Sequence, residues 1–524
     1  MSDLFLGLDS STQSLSAVMV DLSTRQVVHE VSLNFDKTLP AYGTRNGVLR
    51  SQDPTVVHAP PLMWAEALDA LMAQLKTEGA ALSDVRAVAG SGQQHGSVYW
   101  NTAFPKILAH LDPEKSLQDQ LAHCFSRPTS PVWMDSSTHI ECSEIQTAIG
   151  GAPAMAEATG SAVFERFTGP QIRKFFKTEP QAYEGTAGIS LVSSFMASLM
   201  AGRVAPIDHG DGAGMNLMDI RHRQWHGKSL DATAPGLEKK LPPLAEPWTT
   251  MGTISPYFSQ KYGLNSKAMA VVWSGDNPCS VIGTGLVEPG MVAISLGTSD
   301  TYFGTMAECH TDPRGEGHVF VSPTGGYMTL ICFKNGSLAR EKVKNAYGLD
   351  WSEFASALRS TDLGNDGGMM LPWFEPEIVP RVLTSGVRRL NLDVANAVAN
   401  CRAVVEAQMM SMKLHSQWMG IQPTSIRATG GGAKERAILQ VMADVMGCPV
   451  HQFEVSKTAA LGAALRAAHA WQKALGQPLP WAQIVAGFTN PMATGVVKPS
   501  PGSVSVYGAL LPRYAEFEAR VLFS

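Results

Sequence analysis

Twice in this chain an apolar strand runs into a short turn of hydroxyl residues and comes straight back. Residues 4–8, LFLGL, are a buried-strand run, Asp9–Gln13 (DSSTQ) is a polar turn, and Leu15–Asp21 returns, with Val27–Phe35 as a third strand. The module recurs with Met291–Leu296 as strand, Gly297–Thr301 (GTSDT) as turn, and Tyr302 onward as the returning strand. Two such hairpins predict two halves of related design, 1–284 and 285–524, and the competing explanation is two unrelated hairpins. A length of 524 residues is enough for two large domains.

Between the hairpins other elements are legible. Pro60 and Pro61 precede a helix with Trp64, Leu68, Leu71, Met72 and Leu75 on one face, ended by Gly79. Val85–Ala89 is a strand running into GSGQQHG. Ile189–Met200 reads as a helix, and residues 231–248 as a proline-punctuated loop. Later, Ile426–Thr429 leads through Gly430, Gly431 and Gly432 into a helix, Glu435–Met446.

Composition excludes several classes. With 44% hydrophobic and 17% charged residues the chain is globular, not disordered. A net charge of −5 offers no basic surface for nucleic acid. The first residues, MSDLFLGLDSST, lack a basic leader, and no apolar run reaches the roughly 18 residues a membrane helix needs. The seven cysteines are scattered and odd in number, without a CxxC, so the expectation is a reducing, cytoplasmic compartment and no zinc module.

Three apparent nucleotide motifs fail on spacing. Gly227-Lys228-Ser229 resembles the end of a P-loop, but the glycine required five positions earlier is His222. Gly90-Ser91-Gly92 begins like a dinucleotide fingerprint, but the third glycine position holds His95. Gly430–Gly432 also lacks that spacing, and no G-x-S-x-G is present. What remains is one hydroxyl-rich turn per half, offering N–H and O–H groups to phosphate oxygens. Asp9, at a strand end beside such a turn, suits Mg²⁺ held directly or through water. A glycine turn opening a helix lets a flat or anionic ligand approach the backbone. The alternative for any one turn is ordinary hairpin chemistry.

At these residues the chain resembles the FGGY carbohydrate kinases of the actin-like ATPase superfamily. The likeness is carried by LPAYGTRNGV, MWAEALDAL, GSGQQHGSVYW, PVWMDSST, ERFTGPQI, ISLVSSF, PIDHGDGAGMNL, SGDNPCS, ISLGTSDT, CFKNGSLAREK and ATGGGAKERAILQ, from Asp9 to about Leu465. Within the family, QQHGS, ERFTG and GDNP together resemble the members of mammalian type that phosphorylate D-xylulose. Two positions depart from the pattern. Ala407 stands where the family often has Gly, and Phe176 where many members have Trp; both read as packing changes.

The resemblance implies an α/β fold of two ribonuclease-H-like domains with mixed sheets and an active-site cleft between them. It implies a sugar-binding N-terminal domain that carries the base and an ATP-binding C-terminal domain. Asp276 would be the base, in Trp273-Ser274-Gly275-Asp276-Asn277-Pro278, a stretch that also reads as a helix start. His95, Arg166, Asp276 and Asn277 would bind the sugar. The cluster Gln93-Gln94-His95 between glycines suits a polyol, which needs several directional partners; the alternatives are a structural His95 and an Arg166 paired with Glu165. Thr12, Gln13, Gly297, Thr298, Ser299, Trp351, Gly431, Gly432 and Glu435 would hold ATP, and Asp9 would hold Mg²⁺. Trp351 has a competing place in a core stripe with Phe354 and Leu358. Lys334 and Arg340 read as a solvated face, with phosphate contacts as the alternative. The expected reaction is ATP plus D-xylulose to ADP plus D-xylulose 5-phosphate, with neither nucleic acid nor membrane as partner. Rivals are a kinase of ribulose, fuculose or glycerol, an actin-like protein working by conformational change, and a catalytically silent sugar sensor.

Overall fold

Leu4, Leu6 and Leu8 lie on one face of the first strand, Leu4–Ser10, and Phe5 and Gly7 on the other, and all four apolar side chains are buried. Covered on both faces, a strand reads as a continuous apolar run rather than an alternation, as LFLGL does. The structure is a computed structural model describing residues 3–453, 457–492 and 495–523. It divides into two compact units. The first comprises Met1–Val287, Val319–Tyr327 and Lys457–Thr489; the second comprises Glu288–His318, Met328–Ser456 and Asn490–Ser524. The single cut at 284/285 read from the sequence differs from this division, because two later segments return to the first unit.

In the first unit, Leu4–Ser10 pairs antiparallel with Ser14–Asp21 and parallel with Val85–Gly92. Ser14–Asp21 pairs antiparallel with Gln26–Asn34, and Met269–Val271 extends the parallel side. The sheet is therefore mixed. One face is covered by helices Pro61–Thr77 and Val192–Ala201, with Trp64, Leu68 and Phe195 in the core. The other face receives helix Thr458–Ala474, whose Ala460, Ala464 and Ala467 pack with Phe5, Val18 and Ala87. This helix is rich in alanine and lies close enough to demand glycine. A Cβ on Gly7 would stand 2.1 Å from the Ala460 carbonyl oxygen, and one on Gly462 would stand 1.8 Å from that of Cys279. The segment from Val319 is tied in by its N–H, which donates to the Gly160 carbonyl at 2.8 Å.

The second unit repeats the plan. Met291–Leu296 pairs antiparallel with Asp300–Met306 and parallel with Ser425–Thr429, which pairs parallel with Val450–Gln452. Helix Ala397–His415, buried along most of its length, packs with helix Arg436–Met446.

Some boundaries differ from the sequence reading. Val85–Gly92 is strand throughout, so Gly90-Ser91-Gly92 pairs with Leu8, Asp9 and Ser10 instead of opening a loop. Of residues 189–200, Ile189–Leu191 belong to strand Gly188–Leu191, and the helix begins at Val192. The proline-punctuated stretch holds the end of helix Gly227–Thr233 and one turn of 3₁₀ helix, Leu237–Lys240. The return strand of the second hairpin begins at Asp300, which shortens that turn to Gly297–Ser299. Among the described residues no helix is long and apolar enough to cross a membrane. All seven cysteines are free.

Candidate active site

Parallel pairing brings three strand ends of the first unit together. Asp9 stands opposite Ser91, and Ser274 and Gly275 stand opposite Ser91 and Gly92 from the other side. Helix Asp276–Gly283 follows directly. Side chains at the carboxyl ends of neighbouring parallel strands share one edge, where α/β sheets bind ligands. Asp9 and Asp276 thus share this edge although 267 positions apart in number.

The Ser91 hydroxyl donates to Asp9 Oδ1 at 2.7 Å. Burial, against the Ser91 hydrogen bond and with the Asp276 charge, pushes the Asp9 carboxyl up to about 7. Asp276 Oδ1 accepts from the backbone N–H of Asn277 at 2.8 Å and of Gln94 at 3.3 Å. Burial outweighs those bonds and pushes Asp276 up to about 6. Neither carboxylate has a cationic partner among these bonds. The Asn277 amide donates to Gln94 Oε1 at 2.6 Å, so Gln94, Asp276 and Asn277 form one bonded group.

His95 has φ 70, a left-handed conformation unusual for a side chain of this size. Its Nδ1 is 2.7 Å from the Gly214 carbonyl oxygen, which makes Nδ1 the donor and leaves Nε2 an acceptor in the neutral ring. Burial and the charge of Arg166 push its pKa down to about 3. The ring stacks on Phe167 with centroids 4.3 Å apart. The Arg166 guanidinium lies over Phe164 at 5.3 Å and Phe167 at 5.7 Å. His95, Arg166, Asp276 and Asn277 thus belong to one neighbourhood. Thr12 and Gln13 lie in the turn next to Asp9. The Thr12 hydroxyl accepts from the indole N–H of the half-exposed Trp133 at 2.8 Å, and Gly47 packs under the turn, where a Cβ would meet the Thr12 carbonyl oxygen at 1.9 Å.

Behind this edge sits a buried polar layer invisible in the sequence. The Ser193 hydroxyl donates to Asp211 Oδ2 at 2.5 Å, and Asp208 Oδ1 accepts from Ser274 Oγ at 2.6 Å and from the Asp211 N–H at 2.9 Å. Burial, with Asp208 and Asp276 nearby, pushes the Asp211 carboxyl well above the carboxylate range. Arg466, from helix Thr458–Ala474, is fully buried. It donates to the carbonyls of Gly90 at 3.3 Å, Pro247 at 2.8 Å and Val272 at 3.2 Å, and faces Asp208 Oδ2 at 3.7 Å. One guanidinium thus fixes several chain segments that converge on the site.

In the second unit Gly297, Thr298 and Ser299 form the hairpin turn. A Cβ on Gly336 would stand 2.8 Å from the Thr298 carbonyl oxygen, so glycine is needed beneath the turn. Gly430, at φ 86, crowds the Leu296 carbonyl, whereas a Cβ on Gly431 would meet nothing within 4 Å. Gly432 lies against Leu296. The open face at Gly431 is where a flat ligand can reach backbone. Glu435 caps helix Arg436–Met446 by accepting from the Ala437 N–H at 3.0 Å, and pairs with Arg359 at 3.7 Å. Trp351 is 50% exposed at the start of its helix, so the core stripe runs through Phe354 and Leu358 without it.

Arg340 corrects the reading of a solvated face. It is fully buried and bidentate to Asp300, with Nη1–Oδ2 at 2.9 Å and Nη2–Oδ1 at 3.1 Å. Lys334 is exposed as expected. Its ion partner, forty positions earlier, was not legible in the sequence.

Comparison with known proteins gives these likenesses. A model of the N-terminal domain of the FGGY family of carbohydrate kinases matches residues 129–283, and one of its C-terminal domain matches 292–471. The xylulose kinase of Rattus norvegicus is 43% identical, over 99% of this chain and 97% of that protein. Xylulose kinase 2 of Arabidopsis thaliana is 41% identical, over 99% and 97%. The crystal structure of xylulose kinase from Rhodospirillum rubrum superposes with a TM-score of 0.80 at 20% identity, covering 99% of each chain, a likeness of fold.

Proposed function

Because the chain belongs to the FGGY family of carbohydrate kinases, we propose that it transfers the γ-phosphoryl group of ATP to the 5-hydroxyl of D-xylulose, giving D-xylulose 5-phosphate and ADP. Similarity over nearly the whole length to xylulose kinases supports the substrate. The observation that carries the chemistry is the Asp276 carboxylate, fixed through Oδ1 by two backbone N–H groups and lacking a cationic partner among its hydrogen bonds.

In this reading Asp276 takes the proton of the 5-hydroxyl as that oxygen bonds to the γ-phosphorus. The bond from phosphorus to the bridging oxygen breaks, and ADP leaves with its electron pair. A carboxyl at about 6 is ionised at neutral pH yet basic enough to accept the proton in the transition state. His95 Nε2 accepts from a sugar hydroxyl, and Arg166 and Asn277 donate. Thr12 and Gln13 on one turn, and Gly297, Thr298 and Ser299 on the other, offer N–H and O–H groups to phosphate oxygens. Trp351, Gly431 and Gly432 take the adenine, and Glu435 holds the glycine turn in shape.

Asp9 fits a magnesium ion. Burial has pushed its carboxyl up, its hydrogen-bond partner is a hydroxyl, and a cation would compensate it. Asp9 is the residue that would hold such an ion. When bound, such an ion neutralises charge on the phosphates. The reading includes a cytoplasmic compartment, where seven free thiols persist.

Coupled ADP release over a panel of ketoses and polyols, with product identification, tests the proposal. D-xylulose should give the highest kcat/KM and a 5-phosphate product. A higher value with ribulose, fuculose or glycerol, or ATP turnover indifferent to sugar, overturns it.

A further inference from the structure

His95 holds φ 70 in a buried turn, a conformation that a side chain of its size keeps only where the surroundings enforce it. Three restraints are present. The hydroxyl of the fully buried Thr168 donates to the His95 carbonyl oxygen at 3.0 Å. The Phe167 ring stacks on the imidazole at 4.3 Å between centroids. The Gly214 carbonyl takes the Nδ1 proton at 2.7 Å.

All three lead back to one short stretch, Phe167-Thr168-Gly169, at the start of helix Thr168–Thr178. Phe167 supplies the ring and Thr168 the hydroxyl. Gly169 supplies room: a Cβ there would stand 3.0 Å from the Met215 carbonyl oxygen, in the segment that carries Gly214. Hydroxyl residues at helix starts commonly cap their own helix. This helix has no side-chain cap, and its third residue, Pro170, has no N–H for one to bind. The Thr168 hydroxyl is committed instead to a turn 73 positions earlier in the chain. With the carbonyl, the ring face and Nδ1 all engaged, the place of Nε2 is set by groups that need touch no ligand themselves.

We propose that Thr168 is a positioning residue for sugar binding, whose hydroxyl locks the His95 turn in its left-handed conformation and so fixes where Nε2 stands. The inference rests on the reading of His95 as a sugar ligand. It adds that affinity for the sugar depends on a hydroxyl that acts through His95 and does not itself meet the sugar.

The test uses the full-length enzyme and initial rates over D-xylulose and ATP. Thr168→Val keeps the outline of the side chain and removes the donor, so the buried carbonyl is left unbound and the turn relaxes. KM for D-xylulose should rise about tenfold, with kcat changed less than about threefold and KM for ATP less than about twofold. Thr168→Ser, which keeps the hydroxyl, should stay within about threefold of the wild type in all three. In a His95→Ala background Thr168→Val should add less than about threefold, because its effect passes through His95. A full tenfold on top of His95→Ala would mean that Thr168 acts elsewhere, and would overturn the inference. Equal rises in both KM values would make Thr168 a general support of the fold and overturn it too. Should Thr168→Val fail to fold, Thr168→Ser and Thr168→Ala decide, since both are smaller than threonine: KM raised in the alanine variant alone supports the inference, and equal KM values overturn it. An unchanged KM in His95→Ala defeats the underlying reading of His95 as a sugar ligand. An unchanged KM in Thr168→Val beside a raised one in His95→Ala defeats only the role of Thr168.

Discussion

The two hairpin turns are built alike and use their carboxylates in opposite ways. In the first unit Asp9 ends the outgoing strand, and in the second Asp300 begins the returning one. Each turn is closed from below by a glycine that no other residue could replace, Gly47 in one case and Gly336 in the other. Asp9 meets a hydroxyl and the charge of Asp276, and is pushed up to about 7. Asp300 meets the fork of Arg340. The same backbone module therefore leaves one carboxylate available for a cation and spends the other on holding the structure together. What a carboxylate at such a turn is free to do is decided by its partner, not by its place in the motif.

The sharpest break of this comparison is at the carboxylates without a cation. Asp276→Asn should lower kcat by about 10²–10⁴ with the melting temperature almost unchanged, since only the proton acceptor is lost. Retention of more than about a tenth of kcat would remove Asp276 from the base role. Asp9→Asn should instead raise the magnesium concentration needed for half-maximal rate, read from initial rates over a metal titration.

Next comes the paired carboxylate. Arg340→Met leaves Asp300 buried and uncompensated, at about 3–5 kcal/mol of the second unit's stability. Hydrogen exchange in strands Met291–Leu296 and Asp300–Met306 should speed up, while the strands of the first unit keep their protection. Protection unchanged in both would mean that the ion pair contributes little.

His95→Ala and Arg166→Ala should each weaken D-xylulose binding by about 1–3 kcal/mol and leave ATP binding, measured without sugar, nearly unaltered. A loss of ATP affinity with sugar affinity intact would place these residues on the wrong ligand.

The smallest effect is in pH. Asp276 must be ionised to accept a proton, and its carboxyl in the free protein sits at about 6, so kcat/KM should fall about tenfold per unit as pH drops below 6. His95, pushed down to about 3, stays neutral through that range, and saturating magnesium keeps Asp9, otherwise pushed up to about 7, from adding a limb of its own. An acid limb centred near 4 would mean that burial does not raise Asp276 in the working enzyme.

Much of this site was readable because its parts are local. Hydroxyl turns between apolar strands are legible as hairpins from a handful of residues, and the helix beginning at Pro61 follows from proline and a single apolar face. Gln93, Gln94 and His95 stood out as polar residues between glycines. What escaped depends on contacts across long separations. Nothing local pairs Arg340 with Asp300, or tells a buried stripe from a wet one. Asp211 looked like one more polar residue in PIDHGDGAGMNL until Ser193 and Gly275 were seen around it. Gly90-Ser91-Gly92 began like a dinucleotide fingerprint, but these residues continue strand Val85–Gly92: Trp273 lies against Gly90 and Ser193 against Gly92, leaving no room for side chains.

Helix Thr458–Ala474 has a consequence in time. It covers one face of a sheet whose own strands leave the ribosome far earlier, and until it appears Phe5, Val18, Val20, Ala87 and Ala89 have no lid. At about 5–20 residues per second, that face waits roughly 10–40 s after residue 287 is made. Throughout that interval Gly90, Pro247 and Val272 also lack the guanidinium that will bind their carbonyls. A fragment ending at residue 287, although it contains the base and every sugar ligand proposed above, should be recovered as an aggregating chain unless residues 457–489 are supplied with it.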